Sequence, residues 1–225
     1  MTAVCELVGV GRTYGDRFPV TALRDVDLRI ESGEFISVMG PSGSGKSTLL
    51  HILGLLDSPS TGAYSLAGRL TSQMGGQTKA KLRAETIGFV FQSFHLISAK
   101  SALDNVVLGM AYQNVGWGRR YALAADALER LGLDHRMTAY PETLSGGERQ
   151  RLAIARAVAG EKRLLLCDEP TGNLDRENTI QFLEIVAQLN DTGLTVVVVT
   201  HDPEVADAAD RSLIIRDGVL TEAGG

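Results

Sequence analysis

The stretch "FISVMGPSGSGKSTLLHILGLL", residues 35–56, constrains the fold more than any other part of the sequence. Five mostly apolar residues predict a strand, a glycine-rich turn follows at once, and the spacing of apolar residues after Lys46 predicts a helix. The turn fits the pattern G-x-x-x-x-G-K-S, which binds the phosphates of a nucleotide when it joins a strand to a helix. We therefore expect an α/β fold with a nucleotide site at the end of this strand.

The phosphate-binding loop supplies groups with distinct predicted roles. Backbone N–H groups from Gly43 to Thr48 converge on the β-phosphate at the N-terminus of the predicted helix. Lys46 reaches the β- and γ-phosphates, and the Ser47 hydroxyl is a ligand of Mg²⁺. We predict ATP and Mg²⁺ as the cofactors. The predicted nucleotide-binding residues of the loop are Gly40, Ser42, Gly43, Ser44, Gly45, Lys46, Ser47 and Thr48.

Short apolar runs elsewhere in the chain predict further strands, with helical patterns between them. This alternation is typical of parallel strands joined by helices. The runs "LLLC" and "TVVVV" do not alternate in polarity, so we expect them to be central strands covered on both faces. The predicted strands of the parallel sheet are residues 35–39, 87–91, 164–167, 195–199 and 212–216.

The remaining patterns predict a second layer and an insertion. The runs "CELVGVGRTY", "LRDVDLRI" and "AYSLAG" alternate apolar with polar residues, which indicates antiparallel strands. Residues 93–160 show a helical pattern, in which "YALAADALERLGL" has an apolar face and ends at Gly132, while "QNVGWGRR", residues 113–120, predicts a loop.

We therefore predict a single α/β domain over residues 1–225, with the parallel-sheet core of a P-loop NTPase (RecA-like) and an antiparallel β layer. Residues 1–92 and 161–225 form the predicted catalytic core. Residues 93–160 form the predicted inserted helical subdomain.

Polar residues follow several predicted strands, at the edge where open parallel sheets bind ligands. A single glutamine or histidine after a strand is more often structural, and two adjacent carboxylates can be a surface pair. Four apolar residues precede the carboxylates, however, and all of these strand ends meet at one edge, which favours a common site. The residues concerned are Gln92, Asp168, Glu169 and His201.

Charge and reach suggest a role for each of them in the attack of water on ATP. Asp168 holds the metal, usually through a water molecule, and Glu169 orients and partly deprotonates the attacking water. Gln92 bridges metal and water, and His201 binds the γ-phosphate and steadies either Glu169 or the water. The predicted catalytic residues are Glu169, His201, Gln92 and Lys46. The predicted metal ligands are Ser47, Gln92 and Asp168.

The stretch "LSGGERQ", residues 144–150, predicts a second helix start suited to an anion. Ser145 and Glu148 fit an ordinary capping box, but such a box does not require the two glycines between them. One nucleotide needs only one phosphate-binding loop. The simplest explanation is that this helix start serves the nucleotide of another subunit.

These residues resemble the ATP-binding-cassette (ABC) ATPases, whose signature is LSGGQ or LSGGE. The resemblance extends over essentially the whole chain, through "GPSGSGKST", "FVFQ", "LLLCDEPTGNLD" and "VVVVTHD" in the family's order. It implies a dimer of two copies, head to tail, in which the signature of one chain faces the γ-phosphate held by Lys46 of the other. The signature residues so implied are Ser145, Gly146, Gly147 and Glu148.

The resemblance implies roles for two further residues, each with an ordinary alternative. Tyr14 matches the aromatic residue that stacks on adenine, although it could be a packed loop tyrosine. Asp175 matches the loop that links the two nucleotide sites across the dimer, although "NLD" could simply cap the next helix.

Within the family, "ILGLLDSPSTGAY", "FQSFHLISAKSALDNV" and "DEPTGNLD" look most like the branch of macrolide exporters, lipoprotein-releasing ATPases and a cell-division ATPase. That branch implies an ATPase subunit that drives a separate membrane permease, contacted near residues 93–106, for export or for lipoprotein or peptide release. Two alternatives remain open. One is an ATPase that regulates a membrane protein or cell-wall enzyme without moving a substrate. The other is a soluble ABC ATPase of DNA repair or translation.

Composition narrows the partners and the location. The net charge of −5 gives no basic footprint for nucleic acid or for an anionic membrane, so neither nucleic acid nor direct membrane insertion is expected. No apolar run approaches the roughly 18 residues that a spanning helix needs. The only cysteines, Cys5 and Cys167, suggest no disulfide framework. We expect a cytoplasmic protein, held on the inner face of the cell membrane by its permease.

Overall fold

The computed structural model describes residues 3–223, which contain two β-sheets and seven α-helices. Within these residues the strands are β1 (Ala3–Tyr14), β2 (Val20–Glu31), β3 (Phe35–Met39), β4 (Thr61–Leu66), β5 (Arg69–Leu70), β6 (Ile87–Phe91), β7 (Leu164–Asp168), β8 (Thr195–Val199), β9 (Arg211–Arg216) and β10 (Val219–Glu222). The helices are α1 (Lys46–Leu53), α2 (Gly76–Thr86), α3 (Ala102–Gly109), α4 (Trp117–Arg130), α5 (Gly146–Val158), α6 (Arg176–Asp191) and α7 (Pro203–Asp207).

The larger sheet has the order β10-β9-β3-β8-β7-β6, and all its pairs are parallel except that of β9 with β10. Each predicted strand of the parallel sheet is present, with β7 and β9 one residue longer than expected. The prediction that "LLLC" and "TVVVV" are central strands is confirmed. The edge strand β10 was not predicted from the sequence.

The smaller sheet is antiparallel, with the order β2-β1-β4-β5. Alternation of apolar and polar residues explains it, since Leu23, Val26, Leu28 and Ile30 of β2 are buried while the residues between them are mostly exposed. The predicted antiparallel layer is therefore confirmed, and with it the α/β fold class.

Two hydrophobic clusters cover the two faces of the parallel sheet. On β7, Leu164 and Leu166 belong to the cluster shared with α1 and the antiparallel sheet. Leu165 and Cys167 belong to the other cluster, which they share with α3, α4, α5 and α6. This division follows from the two-residue period of a strand, and it explains why the central strands are apolar throughout.

The helical predictions need three corrections. The helical pattern was expected from Ser93, but the first helix after β6 begins at Ala102, and residues 93–101 form a loop. The sequence predicts a loop at Trp117, but this residue begins α4 and contacts Tyr121 edge to face, with ring centroids 5.6 Å apart. The helix predicted from Lys46 ends at Leu53, because Leu55 has a left-handed φ angle of 54° and the N–H of Leu56 turns back to the carbonyl of His51 at 2.8 Å.

The proposed boundary between a catalytic core and a helical subdomain at residues 93–160 stays a prediction. Helices α3, α4 and α5 share one hydrophobic cluster with Phe35, Val90 and other residues of the sheet. The outer limits of the predicted domain, residues 1 and 225, lie outside the described residues.

Candidate functional site

The loop between β3 and α1 is shaped to hold phosphate. Gly43 and Gly45 have φ angles of 78° and 112°, a region that favours glycine. Helix α1 begins at Lys46 without a side-chain cap among the described residues, which leaves its first N–H groups for a ligand. The Lys46 ammonium group donates to the carbonyls of Gly40 and Pro41, at 2.7 and 2.9 Å. These groups fit the phosphates of a nucleotide.

The carboxyl ends of the central strands lie side by side next to this loop. Asp168 pairs with Phe91 on one side and with Val199 on the other, and Val199 pairs with Val38 of β3. Burial raises the pKa of the Asp168 carboxyl, and the charge of Glu169 acts in the same direction, while His51 and Lys46 oppose them. Asp168 therefore ends its strand in line with Val199 and with Val38 of the strand that leads into the loop.

The structure brings Glu169 and His201 into direct contact. The Glu169 Oε2 atom accepts a hydrogen bond from the His201 backbone N–H at 3.3 Å and lies 2.8 Å from His201 Nδ1. Glu169 has a φ angle of 45°, and its own N–H donates to the carbonyl of Val199 at 2.9 Å. A left-handed glutamate is unusual, and such backbone strain concentrates at functional sites. The carboxylate is thus fixed one residue beyond Asp168.

Gln92 leaves the next strand and meets the segment that follows Glu169. The side chain of Asn173 donates to the Gln92 carbonyl at 3.1 Å, and a Cβ atom at Gly172 would lie 2.6 Å from Gln92 Nε2. The Gln92 side chain therefore packs against the loop between β7 and α6. The structure thus gathers Lys46, Asp168, Glu169, Gln92 and His201 at one edge of the sheet.

The signature residues form the capping box that the sequence allowed. Ser145 Oγ accepts from the Glu148 N–H at 3.2 Å, and the Glu148 carboxylate accepts from the Ser145 N–H at 2.8 Å. Arg136 donates to the same carboxylate at 2.8 Å. The hydrogen bond from the Ser145 N–H, helped by Arg136 and opposed by burial, lowers the pKa of Glu148 to about 2.

The low pKa of Glu148 predicts a stability that depends on pH. A carboxyl group with a lowered folded-state pKa stabilises the fold fully above its unfolded-state pKa, near 4.5, and loses that effect as the pH falls towards 2. We expect Glu148→Gln, which keeps the cap acceptor but loses the charge, to cost about 1–2 kcal/mol of unfolding free energy at pH 7 and about half of that or less at pH 3. Urea unfolding at both pH values measures this. Glu142→Gln, at an exposed position in the preceding turn, is the matched control, and an equal loss at both pH values would contradict the expectation.

The two glycines of the signature have different surroundings. A Cβ atom at Gly147 would overlap the side-chain oxygen of Asn178 on α6, so any other residue here would displace Asn178 within the same chain. A Cβ atom at Gly146 would meet no other described atom within 4 Å. Packing within one chain explains only Gly147. Among residues 3–223, no hydrogen bond or ion pair joins the signature residues 145–148 to the loop at 40–48.

Asp175 caps the start of α6, as the capping alternative predicted. Its carboxylate accepts from the N–H and the side-chain amide of Asn178, at 2.9 and 2.8 Å, and these bonds lower the pKa of Asp175. A link across a dimer stays a prediction for this residue. Asn178 contacts both Asp175 and the position of Gly147, and it thereby connects the starts of α5 and α6.

Tyr14 lies at the end of β1, near the phosphate-binding loop. Tyr14 pairs with Val20 on β2. Two residues further along β2, the carbonyl of Ala22 lies so close to Gly45 of the loop that it would block a Cβ atom there. The Tyr14 side chain is 38% exposed, and its hydroxyl donates to Asp57 at 2.7 Å. A stack on adenine stays a prediction, which this position permits.

Two polar residues of α5 make contacts that the sequence does not indicate. Gln150 is buried and donates to the carbonyl of Pro170 at 3.0 Å, which ties the signature helix to the segment after Glu169. Arg156 donates to the carbonyls of Phe94 and His95, both of which have positive φ angles. Burial lowers the pKa of Arg156. Neither contact has a sequence signal, because the partners are backbone carbonyls far away in the chain.

A Mg²⁺ ion would fit beside the loop only with oxygen ligands from several sources. Ser47 is exposed in the first turn of α1, and Asp168 ends β7, which lies two strands away from β3 in the sheet. The part of the chain that the structure describes holds no group of three or more His, Cys, Asp or Glu residues placed to bind a metal. The phosphates and water must therefore complete the six oxygen ligands that Mg²⁺ prefers.

No helix between residues 3 and 223 has the length and apolar character to cross a membrane.

Comparison with known proteins agrees with this geometry. The profile of the family described as "ABC transporter" matches residues 23–172. A macrolide export ATP-binding/permease protein, MacB of Chlorobium luteolum, is 47% identical over 97% of this chain and 33% of its own length. The chain thus spans about a third of the macrolide-export relatives that it matches. An uncharacterized ABC transporter ATP-binding protein of Bacillus subtilis, YvrO, is 46% identical over 91% of this chain and 90% of its own length.

Solved structures show the same fold. A dimeric structure of MJ0796, a bacterial ABC transporter cassette, superposes with a TM-score of 0.87 at 39% identity, over 98% of this chain and 99% of that one. A dimeric post-hydrolysis state of the same cassette, bound to ADP and Pi, has a TM-score of 0.87 at 38% identity, over 98% and 99% of the two chains. The profile match covers well over half of the 225 residues, and YvrO is similar over nearly its full length. The chain therefore belongs to the ABC transporter family, as an ATPase domain.

Proposed function

We propose that this chain binds and hydrolyses ATP in a head-to-tail dimer and drives a separate membrane permease. The observation that carries the proposal is the position of Glu169. Its carboxylate is fixed one residue beyond Asp168 and 2.8 Å from His201 Nδ1, beside the loop that holds Lys46. The site therefore combines Glu169, which can accept a proton from water, with Lys46, a cation that can bind phosphate.

Binding of ATP uses the loop and Lys46. The Lys46 ammonium group exchanges the carbonyls of Gly40 and Pro41 for oxygens of the β- and γ-phosphates, and the uncapped start of α1 faces the β-phosphate. Ser47, Gln92 and Asp168 are the residues that would hold Mg²⁺. When bound, the ion neutralises charge on the β- and γ-phosphate oxygens.

Hydrolysis uses the adjacent carboxylate. A water oxygen attacks the γ-phosphorus, the bond to the oxygen of the β-phosphate breaks, and Glu169 accepts the proton of the water. His201 holds the Glu169 carboxylate through Nδ1, which leaves its other ring nitrogen for the γ-phosphate. Gln92 connects the site to the segment at 93–106, so that its movement would reach the permease.

The second copy of the chain completes the site. The start of α5 has open space at Gly146 and no hydrogen bond to the loop at 40–48 of its own chain among the described residues. In the proposed dimer, Ser145, Gly146 and Gly147 of one chain face the γ-phosphate bound by the other. The dimeric structures of MJ0796 support this arrangement.

The similarity to macrolide-export proteins supports a permease partner and a role in export. Because the permease lies in the membrane, we propose that this chain is located at the inner face of the cell membrane. The proposed contact is the segment 93–106, where Ile97 is 47% exposed. Its backbone is held in place by the buried Asn105, whose side chain accepts from the Ile97 N–H at 2.8 Å and donates to the Ile97 carbonyl at 3.1 Å. A substitution at Ile97 therefore changes the surface and spares the loop.

An experiment with membranes from native cells tests this contact. Inverted vesicles are stripped of peripheral proteins, and the fraction of added chain that sediments with them is measured. We expect Ile97→Arg to bind at least about tenfold more weakly, because a cation would replace an apolar side chain in the contact. Val8→Arg, at a residue 57% exposed in the antiparallel sheet, is the control. Equal binding of both variants and the unchanged chain would contradict the contact. A transport assay with the permease that binds the chain in these vesicles distinguishes export from regulation without transport.

A further inference from the structure

Three side chains form a closed cluster at the end of β1. Arg12 donates from Nε to Asp57 Oδ2 at 2.9 Å, and Arg12 Nη2 lies 2.8 Å from Asp57 Oδ1, so the guanidinium grips the carboxylate with two bonds. The Arg12 Cζ atom lies 4.4 Å from the centroid of the Tyr14 ring. The Tyr14 hydroxyl donates to Asp57 Oδ2 at 2.7 Å, which closes the cluster.

The cluster is anchored on both sides. Asp57 follows α1, where its N–H donates to the carbonyl of His51 at 3.2 Å, and its Oδ1 accepts from the Ser58 N–H at 2.7 Å. Ser60 accepts from the Thr13 N–H at 3.1 Å. Arg12 and Asp57 are only 24% and 23% exposed, so their ion pair is better shielded than an ordinary surface pair. The cluster connects β1 to the helix that begins at the phosphate-binding loop.

The contacts fix the Tyr14 ring at two places. The guanidinium covers one face by a cation–π contact, and Asp57 holds the hydroxyl at the rim. The ring is nevertheless more exposed than either partner. One face of the ring and one edge are therefore occupied, and a flat ligand can stack only on the opposite face.

We propose that Arg12 and Asp57 are positioning residues that hold Tyr14 ready to stack on the nucleobase. This inference rests on the proposed function, in which Tyr14 meets the base. A free tyrosine side chain would lose rotamer freedom on binding, whereas the cluster has already restricted it. Pre-organisation of one side chain strengthens binding by about 2- to 13-fold. A role confined to folding would instead weaken base and phosphate binding together.

Two probes separate these roles. ADP carries both base and phosphates, and inorganic tripolyphosphate carries phosphates alone. Calorimetry with Mg²⁺ gives the affinity of each chain for each probe. We expect Arg12→Gln and Asp57→Asn to bind ADP about 2- to 13-fold more weakly and to bind tripolyphosphate as the unchanged chain does. The control is Arg29→Gln, which breaks the ion pairs of the exposed Arg29 with Glu6 and Glu31 elsewhere in the same sheet and should change neither affinity.

Further variants test the path through Tyr14. Tyr14→Ala should weaken ADP binding by about 5- to 150-fold, and adding Arg12→Gln to it should cause no further loss, because the two residues act as a unit. Tyr14→Phe keeps the ring and its contact with Arg12 and should lose less than Tyr14→Ala.

The outcomes distinguish this inference from the proposed function. Equal loss of ADP and tripolyphosphate binding in Arg12→Gln and Asp57→Asn, or no loss of either, overturns the inference alone, provided that Tyr14→Ala weakens ADP binding. Unchanged ADP binding in Tyr14→Ala overturns the stacking role of Tyr14, and the inference falls with it. Absence of ADP and tripolyphosphate binding in the unchanged chain overturns the proposed function itself.

Discussion

Glu169→Gln is expected to bind ATP normally and to hydrolyse it at least about 100-fold more slowly than the unchanged chain, the loss typical of a positioned base. The amide has nearly the shape of the carboxylate and can still accept the hydrogen bond from His201, so the left-handed backbone at Glu169 has no reason to change. What the amide cannot do is take a proton from water. Release of phosphate at saturating ATP measures the loss.

The same variant should accumulate as a dimer in the presence of ATP, because the nucleotide stays intact between the two chains. Size-exclusion chromatography with and without ATP shows this. Glu204→Gln is the matched control, since Glu204 is a nearby exposed carboxylate paired with Arg176 at 3.3 Å. Near-normal hydrolysis by Glu169→Gln would remove Glu169 from the role of base.

The strands and the edge that carries the site could be predicted from the sequence, because both follow from local patterns. Central strands covered on both faces must be apolar throughout, so "LLLC" and "TVVVV" are visible without any alignment. The carboxyl ends of parallel strands meet at one edge, which places Gln92, Asp168 and His201 together before any coordinates are known. Strong periodicity and fixed topology are what made these predictions possible.

The parts that could not be predicted depend on contacts between distant residues. Arg12 and Asp57 are 45 residues apart in the chain, and nothing in either segment indicates that they pair. The packing of Gly147 against Asn178 is equally invisible, so the sequence suggested that both glycines served a ligand. Phe94 and His95 have positive φ angles, although neither is glycine or asparagine, so the sequence does not indicate this turn.

Some secondary structure was also hidden by weak patterns. Helix α2 has only Leu82 and Thr86 as buried residues, so it shows no apolar stripe. Gly116 and Gly118 flank Trp117 and resemble a loop, yet α4 begins there because Gly116 serves as its N-cap. In each case packing or capping, rather than composition, decided the outcome.

We propose that the start of α5 completes the nucleotide site of a second copy. Gly146→Asp tests it better than a substitution of Gly147, which would clash with Asn178 in the same chain. Gly146 has room for a side chain, and a carboxylate in the first turn of a helix is favourable for the fold. Thermal unfolding should therefore show a stable chain. Facing the γ-phosphate of a partner, however, the same carboxylate would repel it, so we expect a monomer that binds ATP without hydrolysing it.

A mixture of two variants makes the test specific to a shared site. In a heterodimer of Gly146→Asp with Lys46→Ala, one composite site combines an intact loop with an intact signature, and the other carries both changes. Each homodimer instead has one change in both of its sites. In the Gly146→Asp homodimer, like charges meet in both sites, which costs several kcal/mol. In the Lys46→Ala homodimer, both sites lack the ammonium group that binds phosphate. Heterodimers should therefore form at least about tenfold more readily than either homodimer.

Analytical ultracentrifugation with one chain labelled, in a Glu169→Gln background with ATP, measures this directly. We expect the labelled chain to sediment as a dimer in the mixture and mainly as a monomer when either variant is alone. Equal association in all three samples would contradict it, as would normal hydrolysis by Gly146→Asp alone, measured without the Glu169→Gln substitution.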